Sequence, residues 1–365
     1  VVVADEQILK YAIIGSGMMG LEHIRNLIEI PNTQIVGVCD PHTPSLEKAR
    51  RALNRVEGVR YFSNFKDLLA NCDANVVVIA TPNHTHIDIA TEVMRTGKHL
   101  LIEKPLCTTV SDCQKLISVQ TNAGFEDQVV WVGLEYRFMA PTARVLQEIE
   151  RGTVGAVKMI SIREHRYPFL QKIDDWNRFN VNTGGTLVEK CCHFFDLMCL
   201  IAKSQPVSVM ASGSQAVNHL NESYDGKVPD ILDNAYVIVN FENGVRGLLD
   251  LCMFAEASKN EQEVCVVGDK GKVEAMISES VVRIGKRKDG YGSFQEFSIE
   301  IDKEVVKGFH HGASYVEHTQ LQAAVRGGLK AQVGLRDGLW SVAIGQAAHL
   351  SIEEGRLVQI NEVMS

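Results

Sequence analysis

The chain has 365 residues, 45% hydrophobic and 22% charged, a soluble globular composition at a length that calls for two domains rather than one core. Its net charge of -8 excludes the basic footprint that nucleic acid or an anionic membrane requires. Nine cysteines without a Cys-x-x-Cys pair of zinc-like spacing read as reduced thiols of a cytoplasmic protein, with neither a disulfide framework nor a metal site. Residues Val1 to Glu6 lack the basic and apolar regions of a signal peptide, and no apolar run approaches the roughly 18 residues a membrane span needs.

The first strand is expected at Leu9 to Ile14. It runs into Gly15-Ser16-Gly17-Met18-Met19-Gly20 and then a helical pattern through Ile30. This is G-x-G-x-x-G in the context its mechanism needs, with a strand before and a helix after. The first glycine allows the tight turn, the second lets backbone approach a pyrophosphate, and the third lets helix and strand lie close. The helix N-terminus offers N–H donors and positive dipole to the phosphates. A second strand, Gln34 to Cys39, ends at Asp40, placed to take the ribose hydroxyls of NAD and repel the 2′-phosphate of NADP. No arginine follows in Pro41-His42-Thr43, so NAD is favoured over NADP.

Strands and helices continue to alternate. Asn75 to Ala80 is a strand ending in Thr81-Pro82-Asn83-His84-Thr85-His86, whose neutral polar groups suit a nicotinamide pocket. The fifth strand, Lys98 to Glu103, delivers Glu103-Lys104-Pro105 to the carboxyl edge of the sheet, where ligands bind in open α/β folds. Pro105 holds Lys104 extended, and burial there would lower the lysine pKa. The Lys104–Pro105 bond is a candidate for cis geometry. A last strand, Gln128 to Val132, completes a parallel doubly wound sheet over residues 1–133.

From 134 to 365 the pattern changes to long strands at Val157–Arg166, Val207–Val217, Asn234–Phe241, Val245–Phe254, Glu263–Val267, Lys272–Met276, Val281–Lys286 and Phe294–Ile301. Together they predict an α/β domain with a large open, mainly antiparallel sheet, covered on one face by helices at Thr186–Ala202, Ser314–Arg326 and Arg336–Glu353. On an unbroken helix Glu189 and His193 stand at i, i+4, so the carboxylate can hold one imidazole nitrogen and leave the other for proton transfer. Asp196 faces away from Glu189 and could orient His193 or cap a neighbouring element. Adjacent Cys191 and Cys192 project about 100° apart on a helix, which argues against a metal.

In order and spacing, the glycine loop, Thr81-Pro82-Asn83 with His86, Glu103-Lys104-Pro105, Tyr136-Arg137-Phe138, Gly184-Gly185, the Glu189/His193/Asp196 segment, His311-Gly312-Ala313-Ser314 and Asp337-Gly338-Leu339-Trp340 form one set. Together they resemble the glucose–fructose oxidoreductase / inositol dehydrogenase / rhizopine-catabolism (Gfo/Idh/MocA) family across essentially the whole chain. The resemblance implies a Rossmann domain, a C-terminal α/β domain, and homodimers or homotetramers formed through its sheet. It implies an NAD-dependent dehydrogenase acting on a hydroxyl of a sugar, anhydrosugar or cyclitol. Lys104 would contact the reacting hydroxyl and His193 would serve as general acid/base. Glu189 stands where the family most often has an aspartate, one methylene shorter. Arg137 would be structural or cofactor-adjacent. With the glycine loop, Asp40, Thr81, Pro82, Asn83, His86, Glu103, Lys104 and Arg137 make up the expected cofactor set.

The implied chemistry is transfer of a carbinol hydride to the nicotinamide with loss of the hydroxyl proton. His193 would accept that proton, and Lys104, as an ammonium, would stabilise developing alkoxide charge. Candidate hydroxyl partners are Arg163, His165, Trp176, Asn177, Arg178, His310, His311 and Tyr315, with His193 itself. Two other activities occur on the same fold: redox-assisted glycoside cleavage, without net NADH, and non-catalytic NAD sensing. Retention of Lys104 and His193 argues against the latter.

Overall fold

A computed structural model describes residues 7–125, 127–300 and 311–365. The first sheet has strands β1 (Leu9–Ile14), β2 (Thr33–Cys39), β3 (Arg60–Phe62), β4 (Val76–Ile79), β5 (His99–Glu103) and β6 (Val130–Gly133), in the order β3-β2-β1-β4-β5-β6. Every pairing is parallel. β4, β5 and β6 are short valine-, leucine- and isoleucine-rich runs because helices cover both faces and leave no wet side. The order reverses between β1 and β4, so the crevice at their carboxyl ends is the ligand position of this architecture.

The second sheet has nine strands: β7 (Val157–His165), β8 (Pro206–Ser214), β9 (Asn234–Phe241), β10 (Arg246–Cys252), β11 (Gln262–Gly268), β12 (Gly271–Met276), β13 (Val281–Lys286), β14 (Gln295–Ser298) and β15 (Val358–Gln359). Their order is β14-β13-β12-β11-β7-β10-β9-β8-β15, and β7 with β10 is its parallel pair. Alternation along β9 buries Ala235, Val237, Val239 and Phe241 and exposes Tyr236 and Ile238. One face therefore carries the core and the other is open. Ile301, the expected end of the last long strand, and His310 lie outside the described residues.

The late helices return to the first sheet. Helix Leu335–Glu354 packs on β8 and on helix Cys192–Ala202, and also touches β6 and helix Val110–Asn122. Helix Ala313–Gly327 lies against helix Met18–Glu29, where Ser314 Oγ donates to Glu22 Oε1 at 2.8 Å and the His23 and His318 rings meet at 2.9 Å. The expected helix over Thr186–Ala202 is two pieces, Thr186–Glu189 and Cys192–Ala202. The break coincides with Lys190, whose buried ammonium turns to Glu164 Oε1 at 2.8 Å and donates to Tyr136 Oη at 2.7 Å.

The short helix before the break has an N–H that its own turn cannot satisfy. Leu187 N donates to His349 Nε2 at 3.2 Å, so this imidazole serves as a neutral acceptor. Burial depresses its pKa from 6.5 to about 4. Below 6.5 the unfolded chain takes up a proton that the folded chain refuses, so stability falls as the pH drops from 6.5 towards 4 and is fully present above 6.5. The histidine accounts for up to about 3 kcal/mol of that loss. Chemical denaturation at pH 7 and pH 4.5 should therefore show a smaller acid loss in His349→Gln, which keeps an acceptor without the titration.

Candidate active site

The glycine loop is built as the pyrophosphate contact requires. Gly15 leaves β1 at φ +92°, and a side-chain carbon there would fall 2.4 Å from Ala80 O. A side-chain carbon on Gly20 would fall 2.0 Å from Gly15 O, whereas Gly17 has nothing within 4 Å and leaves its backbone open to a ligand. Met18 and Met19 open the helix that follows. Asp40 holds the loop from the end of β2: its Oδ2 accepts from Ser16 N at 2.7 Å and Ser16 Oγ at 3.0 Å, and its Oδ1 accepts from His42 N at 2.8 Å.

Thr81 and Pro82 are half-buried after β4, and Asn83 Nδ2 reaches across to Thr183 O at 3.3 Å. His86 is fully buried. Its ring nitrogens lie 2.9 Å from Pro105 O and 3.1 Å from Thr81 O, so it ties the ends of β4 and β5 together. Burial keeps it below the usual histidine range. Glu103 likewise faces inward, with Oε1 2.9 Å from His23 Nε2 and Oε2 accepting from Lys104 N at 3.1 Å. His86 and Glu103 thus brace the strand ends from behind.

The Lys104–Pro105 peptide is cis. Lys104 Nζ donates to Glu189 O at 3.1 Å, its sole hydrogen bond among the described residues. Its pKa does not fall as burial alone would dictate. Burial pulls it down, but the acidic groups of Cys192, Glu189, Glu103 and Glu135 outweigh that and lift it above the ordinary lysine value. Lys104 is therefore an ammonium.

His193 is buried, and its ring stacks on Tyr136 with centroids 3.8 Å apart and planes within 5°. Its Nε2 is 3.8 Å from Glu135 Oε1. Because the helix breaks after Glu189, Glu189 and His193 do not share one continuous helix face, and the carboxylate beside the imidazole is Glu135. Burial raises the Glu189 pKa against the opposing charges of Lys104, Lys172, Arg178 and Lys190, and its Oε2 has no hydrogen-bond partner among the described residues. Tyr136 is held beneath His193 by Lys190 and by Gln262 Nε2, which donates to its Oη at 3.0 Å. Neither Glu135 nor Tyr136 was expected in the site; both stand next to Arg137 in the exit motif, which was the available signal.

Asp196 pairs with Arg137 through two hydrogen bonds and does not orient His193 directly. Arg137 also donates to Asp337 and to Gln332 O, so its fork is spent on protein groups rather than turned to a cofactor. Two expected substrate residues lie away from the cleft. Along β7, Ile160, Ile162 and Glu164 take the covered face, so Arg163 and His165 emerge on the open one, paired with Glu263 and Asp250. Trp176 meets His84 edge to face at 6.4 Å, at the rim between the two halves. Asn177 Nδ2 donates to Leu170 O, and Arg178 donates to Glu222 and Phe169 O. His311 lies just before helix Ala313–Gly327 and Tyr315 in its first turn; that helix packs against helix Met18–Glu29.

With this geometry in place, the comparisons are specific. Residues 9–133 match the oxidoreductase family's NAD-binding Rossmann fold, and residues 147–360 match the C-terminal alpha/beta domain of the same Gfo/Idh/MocA family. The chain belongs to this family of NAD-dependent oxidoreductases. It is 26% identical to a myo-inositol 2-dehydrogenase of Thermotoga maritima, over 98% of this chain and 100% of the relative. It is 25% identical to an inositol 2-dehydrogenase of Rhizobium meliloti, over 96% and 99%. In fold it is similar to a levoglucosan dehydrogenase solved with NADH and levoglucosan, with a TM-score of 0.84 at 19% identity, covering 96% of this chain and 99% of that one. No described helix is long and apolar enough to cross a membrane, and the described residues contain no cluster that could hold a metal.

The oxidoreductase's loop fits NAD: the open backbone at Gly17, the helix N-terminus and Asp40 stand where phosphate and ribose groups are held. Replacing Asp40 by alanine removes the carboxylate expected to repel a 2′-phosphate and also releases Ser16. Fluorescence titration of Asp40→Ala with NADH and NADPH should show weaker NADH binding and a NADPH-to-NADH affinity ratio raised by about tenfold or more.

Proposed function

We propose that this oxidoreductase is an NAD-dependent dehydrogenase of a sugar, anhydrosugar or cyclitol, oxidising a ring hydroxyl to the ketone, with Lys104 and His193 handling the hydroxyl proton. The observation that carries the reading is the half-buried Lys104 ammonium at the carboxyl end of a dinucleotide-sheet strand, donating to Glu189 O in the segment that carries the buried His193 imidazole. The inositol and levoglucosan dehydrogenases it resembles support the substrate class.

Bound NAD supplies the hydride acceptor. His193 accepts the hydroxyl proton as the carbonyl forms, and in the reverse direction returns it. Glu135, 3.8 Å from its Nε2, stabilises the imidazolium, and the Tyr136 ring fixes the plane of the imidazole. Lys104 donates to the substrate oxygen and stabilises it as it gains charge, a task for which its raised pKa suits it. The buried carboxyl of Glu189, whose Oε2 has no hydrogen-bond partner among the described residues, can take a neighbouring substrate hydroxyl.

An NAD-reduction screen over inositols, aldoses, anhydrosugars and glycosides tests the reading. Net NADH with a free polyol is expected; cleavage of a glycoside without net NADH would replace this reading with redox-assisted hydrolysis. On the true substrate, Lys104→Ala and His193→Ala should each lose about 10²–10⁴ of kcat while NADH binding persists. Near-normal turnover in either would sink the assignment.

The open face of the second sheet bears exposed Met159, Met210, Tyr236, Ile238 and Leu248, an apolar surface that suits self-association into a homodimer or homotetramer. The nine free cysteines suit a reducing, cytoplasmic setting. The double variant Tyr236→Lys, Ile238→Lys should elute as a smaller species than the parent in size-exclusion chromatography with light scattering. An unchanged mass would exclude this face.

A further inference from the structure

Lys172 belongs to no motif, yet it stands in the cleft. It lies in the segment 166–178 after β7, with exposed Gln171 and Ile173 on either side. Its own side chain turns inward, and Nζ lies 3.8 Å from the Sδ of Met18, the first residue of the helix that follows the glycine loop. Among the described residues that thioether is the sole hydrogen-bond partner of the ammonium, and no carboxylate lies within ion-pair distance. A thioether is a weak acceptor, so a half-buried cation with three N–H donors is left poorly satisfied.

The surroundings sharpen the point. A helix N-terminus carries partial positive charge, and a lysine beside it is at the wrong end of the dipole. Lys104 adds a second ammonium near Lys172: burial pushes the Lys172 pKa down, Glu189 and Glu103 oppose this, and Lys104 reinforces it. The start of the helix and Lys172 therefore face one another beside the glycine loop, and an anionic oxygen between them would satisfy both. The segment is tied down on both sides. Trp176 touches His84 of the first half, Asn177 and Arg178 fasten the segment to its own backbone, and Asp174 and Asp175 hold left-handed conformations at φ 53° and 49°.

We propose that Lys172 is a phosphate ligand of bound NAD, supplied by the second half of the chain and donating across the cleft to the pyrophosphate that the glycine loop receives. This rests on NAD binding and not on the identity of the polyol. The same anion-seeking group could meet a carboxylate or phosphate on a substrate, and the test separates the two sources. The whole chain is titrated with NADH, with adenosine diphosphate ribose and with adenosine, as wild type and as Lys172→Met, Lys172→Gln and Lys172→Arg. Lys172→Met and Lys172→Gln should weaken NADH and adenosine diphosphate ribose alike by about tenfold or more, leave adenosine unchanged and melt at the wild-type temperature. Lys172→Arg should recover most of the affinity. Unchanged NADH and adenosine diphosphate ribose binding overturns the proposal, and a rise confined to the substrate KM would assign Lys172 to the substrate instead. An equal loss for adenosine would mean a damaged cleft and would also overturn it. Failure of every polyol to reduce NAD would refute the dehydrogenase reading while leaving these titrations decisive.

Discussion

The ion pair between Arg137 and Asp196 sets the relation between the two halves of the site. Arg137 leaves β6, and Asp196 lies one turn beyond His193 on helix Cys192–Ala202. The guanidinium forks onto the carboxylate and also donates to Asp337 Oδ1 at 2.8 Å and Gln332 O at 3.1 Å, at the start of the long helix that bridges both sheets. Burial works against the arginine charge, but Asp196 and Asp337 keep it protonated. Removing one partner would strand the other's charge in the interior, at a cost of about 3–5 kcal/mol. The worth of the pair lies more in geometry than in net stability. Tyr136 immediately precedes Arg137, so the clamp that holds Asp196 also seats the phenol ring under the imidazole.

The parts of the site that rest on local backbone rules were legible in the sequence. Gly15 and Gly20 each meet a local steric demand, Gly17 leaves open backbone, and Asp40 and Lys104 sit at strand ends that short apolar runs announce. The His193 environment was not legible, because every residue from Leu187 to Leu197 is buried. A segment buried all round, its Glu189, Lys190, His193 and Asp196 included, offers no apolar stripe from which a break can be seen, so the pieces Thr186–Glu189 and Cys192–Ala202 read as one. The break coincides with Lys190, whose ammonium turns to Glu164, a contact that sequence spacing does not encode. For the same reason Glu135 was passed over: its partner is far along the chain. Arg163 and His165 were misplaced by one simple fact, the side of β7 that faces the helices, which depends on the partner layer rather than on the strand.

The acids behind β5 explain why Lys104 carries charge where burial would strip it. Cys192, Glu189, Glu103 and Glu135 surround the lysine, and together they outweigh desolvation. These carboxylates cannot all be ionised with their neighbours at close range. Glu317, buried beside them and accepting from Trp131 Nε1 at 3.0 Å, gives way: burial, then Glu135, Glu103 and Glu22, raise its pKa far above the ordinary value. With Glu317 disposed to keep its proton, Glu103 stands 2.9 Å from His23 Nε2 and Glu135 stands 3.8 Å from His193 Nε2. The field at the cleft is therefore assembled before any ligand arrives, with the Lys104 ammonium at the end of β5 and the Glu135 carboxylate beside His193. Such a field needs no reorganisation at the moment of proton transfer. Its cost is borne as buried like charge between helix Ala313–Gly327 and the first sheet, which is why that late helix, remote in sequence, belongs to the chemistry of β5.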